Sequence, residues 1–489
     1  MTIQVLQPRG SLRRPSPDVL PAWARQDVED LFATWASVWT RNSTLRRYYT
    51  GAVGVKNLAI SIPSQFERLN VVSGWPAKAV QCHAMRSIFD GYVFAGRADT
   101  SLDALTRRNN LRDLYQQAAS LSLVYGVSFM TVMRGNQGQP AAKVSLYSAN
   151  QACALWDTAN GGIRCGIVLA ARDINGEPTR YVAHFPNAIV TMEYKGAKWE
   201  CTEEPNPAGR ILMVPLVNDP DPERPFGHSL LTPELQGIVD KAMRDVLRME
   251  VGAEFFTAPQ RYVLGASEDL FSAPVEESED GEAAYEPVSN EAKLKAYMGA
   301  IWAITRDENG DVPTVGEFSA PGAGNFISVF ENDAQRFSGA SNVPLSQLGV
   351  LSNTYTSSDA LGAANDPLIL EVETMNRRNA AAMEEVARLM MAVSEGVAYD
   401  ALDERADTVQ AYMKDPSKST FAANADAWVK IAGADQSLVG TDVMYEGVGF
   451  TRATIDRIRA GQREASYTSQ LNALASQAVE QAVSADGGR

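Results

Sequence analysis

The 489-residue sequence lacks most of the features by which enzymes and exported proteins are identified. No apolar run approaches the roughly 18 residues typical of a membrane span, and the N-terminus has arginines but no apolar signal segment. Only three histidines and four cysteines occur, without a CxxC pair or ligand-like spacing. We therefore expect no zinc site, and we interpret the cysteines as reduced thiols of a cytosolic protein.

Nucleotide-binding and hydrolase motifs are also absent. The sequence contains no GxxxxGK[ST] loop, no GxSxG turn and no HExxH pair. Glu384 and Glu385 fall on a helix face that we expect to be solvated. Cys82 and His83 are sequence neighbours that point to different faces of a helix, which argues against a Cys–His nucleophile. We therefore expect no catalytic residues, no cofactor and no metal.

The charge balance is acidic, with a formal net charge of −15. A protein that binds the DNA backbone tightly needs a basic face. The acidic net charge therefore argues against tight, static binding of DNA. It leaves open a passage through which DNA moves without adhering. Residues 268–291 contain no Lys or Arg. They are either a solvated loop or an acidic surface that meets a basic partner.

The first two thirds of the sequence predict helices, then strands, then another helix. Apolar spacing predicts helices over about 21–49, 76–90 and 102–125, the first with a tryptophan-rich inner face. Short β-branched and aromatic runs between 128 and 217 predict five to seven antiparallel strands, with hairpin turns at Asn175-Gly176 and Lys195-Gly196. A helix over about 230–257 and strands near 262–264 and 300–305 are expected to follow.

The stretch from 325 to 396 is the most strongly patterned part of the chain. A helix is predicted around Phe326, Phe330 and Phe337, followed by a Ser/Asn/Thr-rich loop and a long amphipathic helix over about 357–396. The stripe of the long helix has alternating three- and four-residue steps and comprises Leu361, Leu368, Val372, Met375, Ala382, Val386, Leu389 and Val393, with Asn365 and Asn379 in its gaps. Pro367 leaves two alternatives: Asp366 caps a new helix, or one helix kinks there.

Taken in order, these elements resemble those of portal proteins from tailed bacteriophages of the long-tailed type. None of the stretches that carry the resemblance is a catalytic signature. They are LRRYYTGAVGVKNL (45–58), VVSGWPAKAVQCHAMRSIFDGY (71–92), FGHSLLTPELQGIVDKAMRDVLRMEVGAEFFTAPQRYVLG (226–265), EFSAPGAGNFISVFENDAQRFSGASNVPLSQLG (317–349) and TSSDALGAANDPLILEVETMNRRNAAAMEEVARLM (356–390). The resemblance covers about residues 25–400 and is poor in the C-terminal part.

The resemblance implies an α+β fold of portal type, assembled as a ring that in this family usually has twelve subunits. The implied parts, in chain order, are a flexible N-terminal arm (1–24), a wing of helices and an antiparallel β-rich region (25–227), a stem helix (228–258), a small α/β clip (259–322), a second stem helix (323–341), a tunnel loop (342–356), a long channel helix with a return to the wing (357–420) and a helical crown (421–489).

The resemblance also implies a function and a set of partners. The ring would occupy the unique capsid vertex of the virion, after assembly in the host cytoplasm, and would conduct double-stranded DNA during packaging and ejection. It would bind the terminase large subunit, the head–tail adaptor, and the major capsid and scaffolding proteins, and no membrane. Two alternatives remain: another head–tail connector or shell protein, and an enzyme whose site is assembled only in the tertiary structure.

The residues implied to face the channel belong mainly to the tunnel loop. They are Ser346, Gln347, Leu348, Val350, Ser352, Asn353 and Thr354. Most are short and uncharged, which suits weak and transient contact with a moving phosphate backbone. Arg336, Arg377 and Arg378 are the nearest basic residues in sequence, and they either contact DNA or form salt bridges within a helix face or between subunits.

Overall fold

The computed structural model describes residues 13–54, 71–94, 100–257, 261–264, 314–317, 324–350, 362–417, 421–451 and 454–469, which form a mixed helix and sheet protein. The helices are α1 (Arg25–Thr50), α2 (Trp75–Ala84), α3 (Thr100–Arg108), α4 (Leu111–Tyr125), α5 (Pro233–Thr257), α6 (Gly324–Ser341), α7 (Asp366–Glu395), α8 (Glu404–Asp407), α9 (Phe421–Ala434), α10 (Asp442–Val448) and α11 (454–469). The strands are β1 (Phe89–Phe94), β2 (Val127–Arg134), β3 (Ala142–Ser148), β4 (Ala152–Asp157), β5 (Gly162–Arg172), β6 (Pro178–His184), β7 (Ala188–Lys195), β8 (Lys198–Pro205), β9 (Met213–Val217), β10 (Arg261–Leu264), β11 (Thr314–Glu317) and β12 (Val409–Met413).

The chain divides into two compact units. Unit 1 draws on Met1–Arg46, Ala79–Leu230 and Ser357–Arg489, and unit 2 on Arg47–Lys78 and Leu231–Thr356. The finer division into arm, wing, stem, clip, tunnel loop, channel helix and crown stays a prediction.

Within unit 1, the stretch for which five to seven strands were predicted forms two antiparallel sheets. Three strands pair in the order β3-β2-β9 and five in the order β4-β5-β6-β7-β8, so the region holds eight strands. The missed strand is β4, whose sequence ACALWD has few of the β-branched and aromatic residues that mark a strand. The two predicted hairpin turns are present, and Gly176 and Gly196 adopt positive φ angles of 83° and 54° in them.

Helix α1 supplies one side of the core of unit 1. Its residues Leu31 and Trp35 are fully buried in a cluster with residues of the five-stranded sheet, and Phe32 meets Tyr181 edge-on at 5.1 Å. The tryptophan-rich face is therefore a core face, as predicted. Trp23 is the exception: it precedes the first residue of α1 and is 51% exposed.

Two predicted helices are shorter than expected. The helix over 76–90 ends at Ala84, and Phe89 instead lies in β1, paired with Met413 of β12. The helix over 102–125 is split between α3 and α4. There the buried Asn109 donates to the carbonyl of Ala142 and accepts from the amide of Val144, so its side chain pairs with strand β3. These tertiary hydrogen bonds override a continuous helical pattern.

Unit 2 contains the other helices that bear on function. The helix predicted over 230–257 is α5, and it packs against α6. The strand predicted near 262–264 is β10, which pairs antiparallel with β11. The strand predicted at 300–305 lies outside the described residues. No helix in the described ranges is long and apolar enough to cross a membrane.

Candidate functional site

The long helix of the patterned stretch is α7, and it begins at Asp366. A new helix begins here, as in the first of the two alternatives, with Pro367 in its first turn; the N-cap, however, is Asn365 and not Asp366, which is the first helical residue. Residues 362–363 are helical and a turn at 364–365 separates them from α7. The helix ends at Gly396, whose φ of 72° suits glycine because it has no Cβ.

The apolar stripe of α7 is buried within unit 1. Val372, Val386 and Leu389 have no exposed surface, and α7 packs against β2, β9 and β12. Ala382 and Val393 are half-buried, and Leu361 lies outside the described residues. The stripe is therefore covered by strands of its own chain.

A buried chain of hydrogen bonds fixes the register of α7. Asn379 Nδ2 donates to the Tyr115 hydroxyl at 3.0 Å, and Ser87 Oγ donates to Asn376 Oδ1 at 2.6 Å. The Tyr115 and Ser87 oxygens are 2.5 Å apart. Because the single proton of Ser87 goes to Asn376, Tyr115 must donate to Ser87. Burial raises the pKa of Tyr115 to about 12, so the hydroxyl keeps its proton.

Two further contacts hold the first turns of α7. The buried His83 places Nε2 3.0 Å from the Glu371 carboxylate. Arg86 donates from Nη2 to Asn365 Oδ1 at 2.9 Å and from Nη1 to the carbonyl of Pro416 at 3.0 Å. The start of α7 is therefore held by polar and charged side chains from the last turn of α2 and from the segment that follows it.

The predicted basic residues of α7 have contacts within their own chain. Arg377 is exposed, and its Nη2 donates to Thr374 Oγ1 at 3.2 Å. Arg378 is partly buried, and its Nη1 lies 3.8 Å from Asp219 Oδ1. This contact joins α7 to the loop after β9, and whether Arg377 and Arg378 contact DNA stays a prediction. Leu370, on the exposed side of the same helix, is 63% exposed.

In unit 2, α5 and α6 are joined by an ion pair at a buried position. Lys241 Nζ of α5 lies 2.5 Å from Oδ1 of Asp333, which has no exposed surface. The same Lys241 nitrogen is 3.4 Å from Asp245 Oδ2. Beside this pair, Trp75 packs on Phe330 and Phe337 with ring centroids 5.1 and 5.5 Å apart. Both aromatic and ionic contacts therefore fix α6 within this unit.

The first part of the predicted tunnel loop has a defined fold. After α6, the left-handed Asn342 (φ 53°) turns the chain, and Ser338 Oγ donates to the carbonyl of Val343 at 2.7 Å. A 3₁₀ turn, Leu345–Leu348, follows. Its two leucines are buried, whereas Ser346 and Gln347 are exposed. The turn therefore presents two uncharged polar side chains to its surroundings.

The remaining predicted site residues differ in what the structure shows. Leu348 is 8% exposed and anchors the turn, and Val350 is half-buried. Arg336 is exposed on α6. Ser352, Asn353 and Thr354 lie outside the described residues. Within the described ranges, no group of three or more His, Cys, Asp or Glu side chains could hold a metal ion.

Sequence comparison identifies a family and two relatives. The family model described as "Phage portal protein, SPP1 Gp6-like" matches residues 30–437. The portal protein of Mycobacterium phage D29 is 25% identical over 458 residues, which cover 91% of this chain and 89% of that protein. The portal protein of Mycobacterium phage L5 is 24% identical over 457 residues, with the same two shares.

Two solved structures show a weaker likeness. A chain of the "Virion of native gene transfer agent (GTA) particle" is 12% identical, with a TM-score of 0.45 over 84% of this chain and 93% of that one. A chain of the "Neck of empty GTA particle computed with C6 symmetry" is 13% identical, with a TM-score of 0.44. The match covers 77% of this chain and 90% of that one. Superpositions this loose support no conclusion about assembly.

Proposed function

We propose that this chain, which belongs to the SPP1 Gp6-like family of phage portal proteins, assembles as a ring at one vertex of the capsid. The family match over most of the chain carries the proposal. Double-stranded DNA would pass through the axial hole during packaging and ejection. The ring would bind the terminase large subunit and then the head–tail adaptor, would contact the capsid and scaffolding proteins, and would itself perform no catalysis.

Within this proposal, each patterned helix has a mechanical role. Helices α5 and α6 act as the stem, residues 342–356 as the tunnel loop and α7 as the channel helix. A stem must keep its shape while DNA moves, and the Lys241–Asp333 pair with the packing of Trp75 supports that role. The buried hydrogen bonds from Tyr115 to α7 support a channel helix that keeps its register under load.

Charge supports a passage to which DNA does not adhere. Each chain carries a net charge of −15, which a ring multiplies by its number of subunits. Every Lys or Arg that contacts a phosphate adds salt-dependent affinity, and strong affinity slows movement along the duplex. Ser346 and Gln347 are exposed and uncharged. They can therefore touch a moving backbone with weak hydrogen bonds only.

Charging the exposed part of the loop tests the channel role. The double variant Ser346→Lys, Gln347→Lys keeps the buried leucines of the turn, so ring formation should be unchanged. About 24 added positive charges in a ring of twelve should hold DNA and slow its packaging, more so at low salt. The measurement is the amount of protected DNA per particle over time.

The matched control is Ser346→Thr, Gln347→Asn, which preserves neutrality at both positions and should package normally. Equal packaging by the lysine variant and the wild type at low salt would show that these side chains do not face DNA. Ring formation by both variants is checked separately by native mass spectrometry.

A further inference from the structure

Unit 1 contains a cleft that plays no part in the function proposed above. It has a volume of about 340 Å³, which is within the usual range for ligand sites, and it lies between α1 and the loop 223–227. Its floor is apolar and includes the buried Phe129 and Cys153. Phe226 closes one side and packs edge-on against Phe129 and Trp156, with centroids 5.9 and 5.7 Å apart.

Two arginines without acidic partners line this cleft. Arg41 of α1 donates from Nε and Nη2 to one oxygen of its neighbour Asn42, at 3.3 and 3.2 Å. Glu223 also lines the cleft, but neither arginine forms an ion pair with it or with any other residue in the described ranges. Burial, and then the positive charge of Arg224, lower the pKa of Arg41. Two positive charges therefore line one cleft that holds a single carboxylate, that of Glu223.

The loop that carries Arg224 is held in one conformation. Asp221 Oδ1 accepts hydrogen bonds from the amides of Glu223 and Arg224 at 2.8 and 2.7 Å. Gly227 has a φ of 71°, and a Cβ there would lie 2.0 Å from the carbonyl oxygen of Asn218. Because the loop needs no reordering, little conformational entropy would be lost when a ligand binds.

We propose that this cleft binds a short acidic segment of a partner protein. Its carboxylates would pair with Arg41 and Arg224, and an apolar side chain would pack against Phe129 and Phe226. Guanidinium groups bind carboxylates with charge-assisted hydrogen bonds, which are among the stronger polar contacts. The proposal stands on the cleft itself and does not depend on the ring or the channel.

The surroundings favour an acidic peptide over nucleic acid. Asp221 and Glu223 are exposed on the same loop as Arg224. Duplex DNA carries one charge per roughly 1.7 Å of its axis, so its phosphates could not avoid these carboxylates or the net negative chain. A peptide can place its two carboxylates on the arginines and an uncharged side chain next to Glu223, which also lines the cleft.

The test is a binding titration with the full-length protein. The probe is a fluorescein-labelled peptide of sequence Glu-Asp-Leu-Phe. Its binding is measured by the fluorescence anisotropy of the label. We expect saturable binding that weakens with added salt, and about tenfold weaker binding in each of the variants Arg41→Gln and Arg224→Gln. The matched control Arg134→Gln removes an exposed arginine at the end of β2, outside the cleft, and should bind like the wild type.

The peptide series keeps the test decisive even if a variant folds poorly. With wild-type protein, the neutral peptide Gln-Asn-Leu-Phe should bind at least tenfold more weakly than the acidic one. Equal binding of the two peptides, or no saturable binding of the acidic one, overturns the proposal. Displacement of the peptide by an equal concentration of a DNA duplex would also overturn it, because the site would then recognise phosphates.

Discussion

Replacing Lys241 with Met tests how α5 and α6 are held together. The change keeps the length of the side chain but leaves the carboxylate of Asp333, which has no exposed surface, without its cation at 2.5 Å. Removing one partner of a buried ion pair costs about 3–5 kcal/mol. Lys241 is itself 39% exposed, so water already screens part of the pair. We therefore expect the loss of local stability to lie near the lower end of this range, at about 3 kcal/mol.

Hydrogen exchange measured on peptides from α6 reports this loss locally. Every 1.4 kcal/mol or so of opening free energy changes the exchange rate about tenfold, so Lys241→Met should speed exchange in α6 by about a hundredfold. The double variant Lys241→Met, Asp333→Leu should recover much of the protection, because the unpaired carboxylate is also removed.

A surface pair of similar geometry serves as the control. Lys430 lies 2.7 Å from Asp426, and the two side chains are 74% and 67% exposed. An exposed pair contributes well under about 1 kcal/mol, so Lys430→Met should change exchange rates in α9 by only a few fold. If exchange in α6 of Lys241→Met stays within threefold of the wild type, the ion pair does not hold the two helices.

Two further predictions concern unit 1. Burial lowers the pKa of His184 to about 4, and neither ring nitrogen has a hydrogen-bond partner among the described residues. Between about pH 6.5 and 4, His184 is therefore protonated in the unfolded chain but neutral in the folded one. Stability should fall by about 3 kcal/mol as the pH drops through that interval, and His184→Leu should remove most of the accompanying fall in melting temperature. Tyr115→Phe should destabilise unit 1 by about 1–3 kcal/mol in urea, because Asn379 Nδ2 loses its acceptor and Ser87 Oγ loses the hydrogen bond that it accepts; an unchanged midpoint would mean that water replaces the hydroxyl.

Local patterns predicted the elements whose signal lies in one segment. The spacing of apolar residues identified the inner face of α1 and the buried stripe of α7, because helical periodicity brings such residues to one side. The glycines at 176 and 196 identified two hairpin turns, because positive φ angles favour glycine. In both cases the deciding interaction acts between residues close in sequence.

Elements that depend on distant partners were not predicted. Asn109 ends α3 through bonds to β3, more than thirty residues away, and Phe89 leaves a helical pattern because β12 offers strand pairing. The candidate site shows the same limit. Ser346 and Gln347 are exposed, and their place in a channel stays a prediction; the burial of Leu348 and the ion pair of Arg378 with Asp219 arise from tertiary packing that no local pattern encodes.

Native mass spectrometry of the purified full-length protein tests the proposed ring most directly. We expect one closed assembly with a mass of about twelve times 53.0 kDa. Electron-microscope class averages of the same sample should show an axial hole wide enough for a DNA duplex. A monomer at every concentration, both alone and with the capsid and scaffolding proteins present, would contradict the proposal.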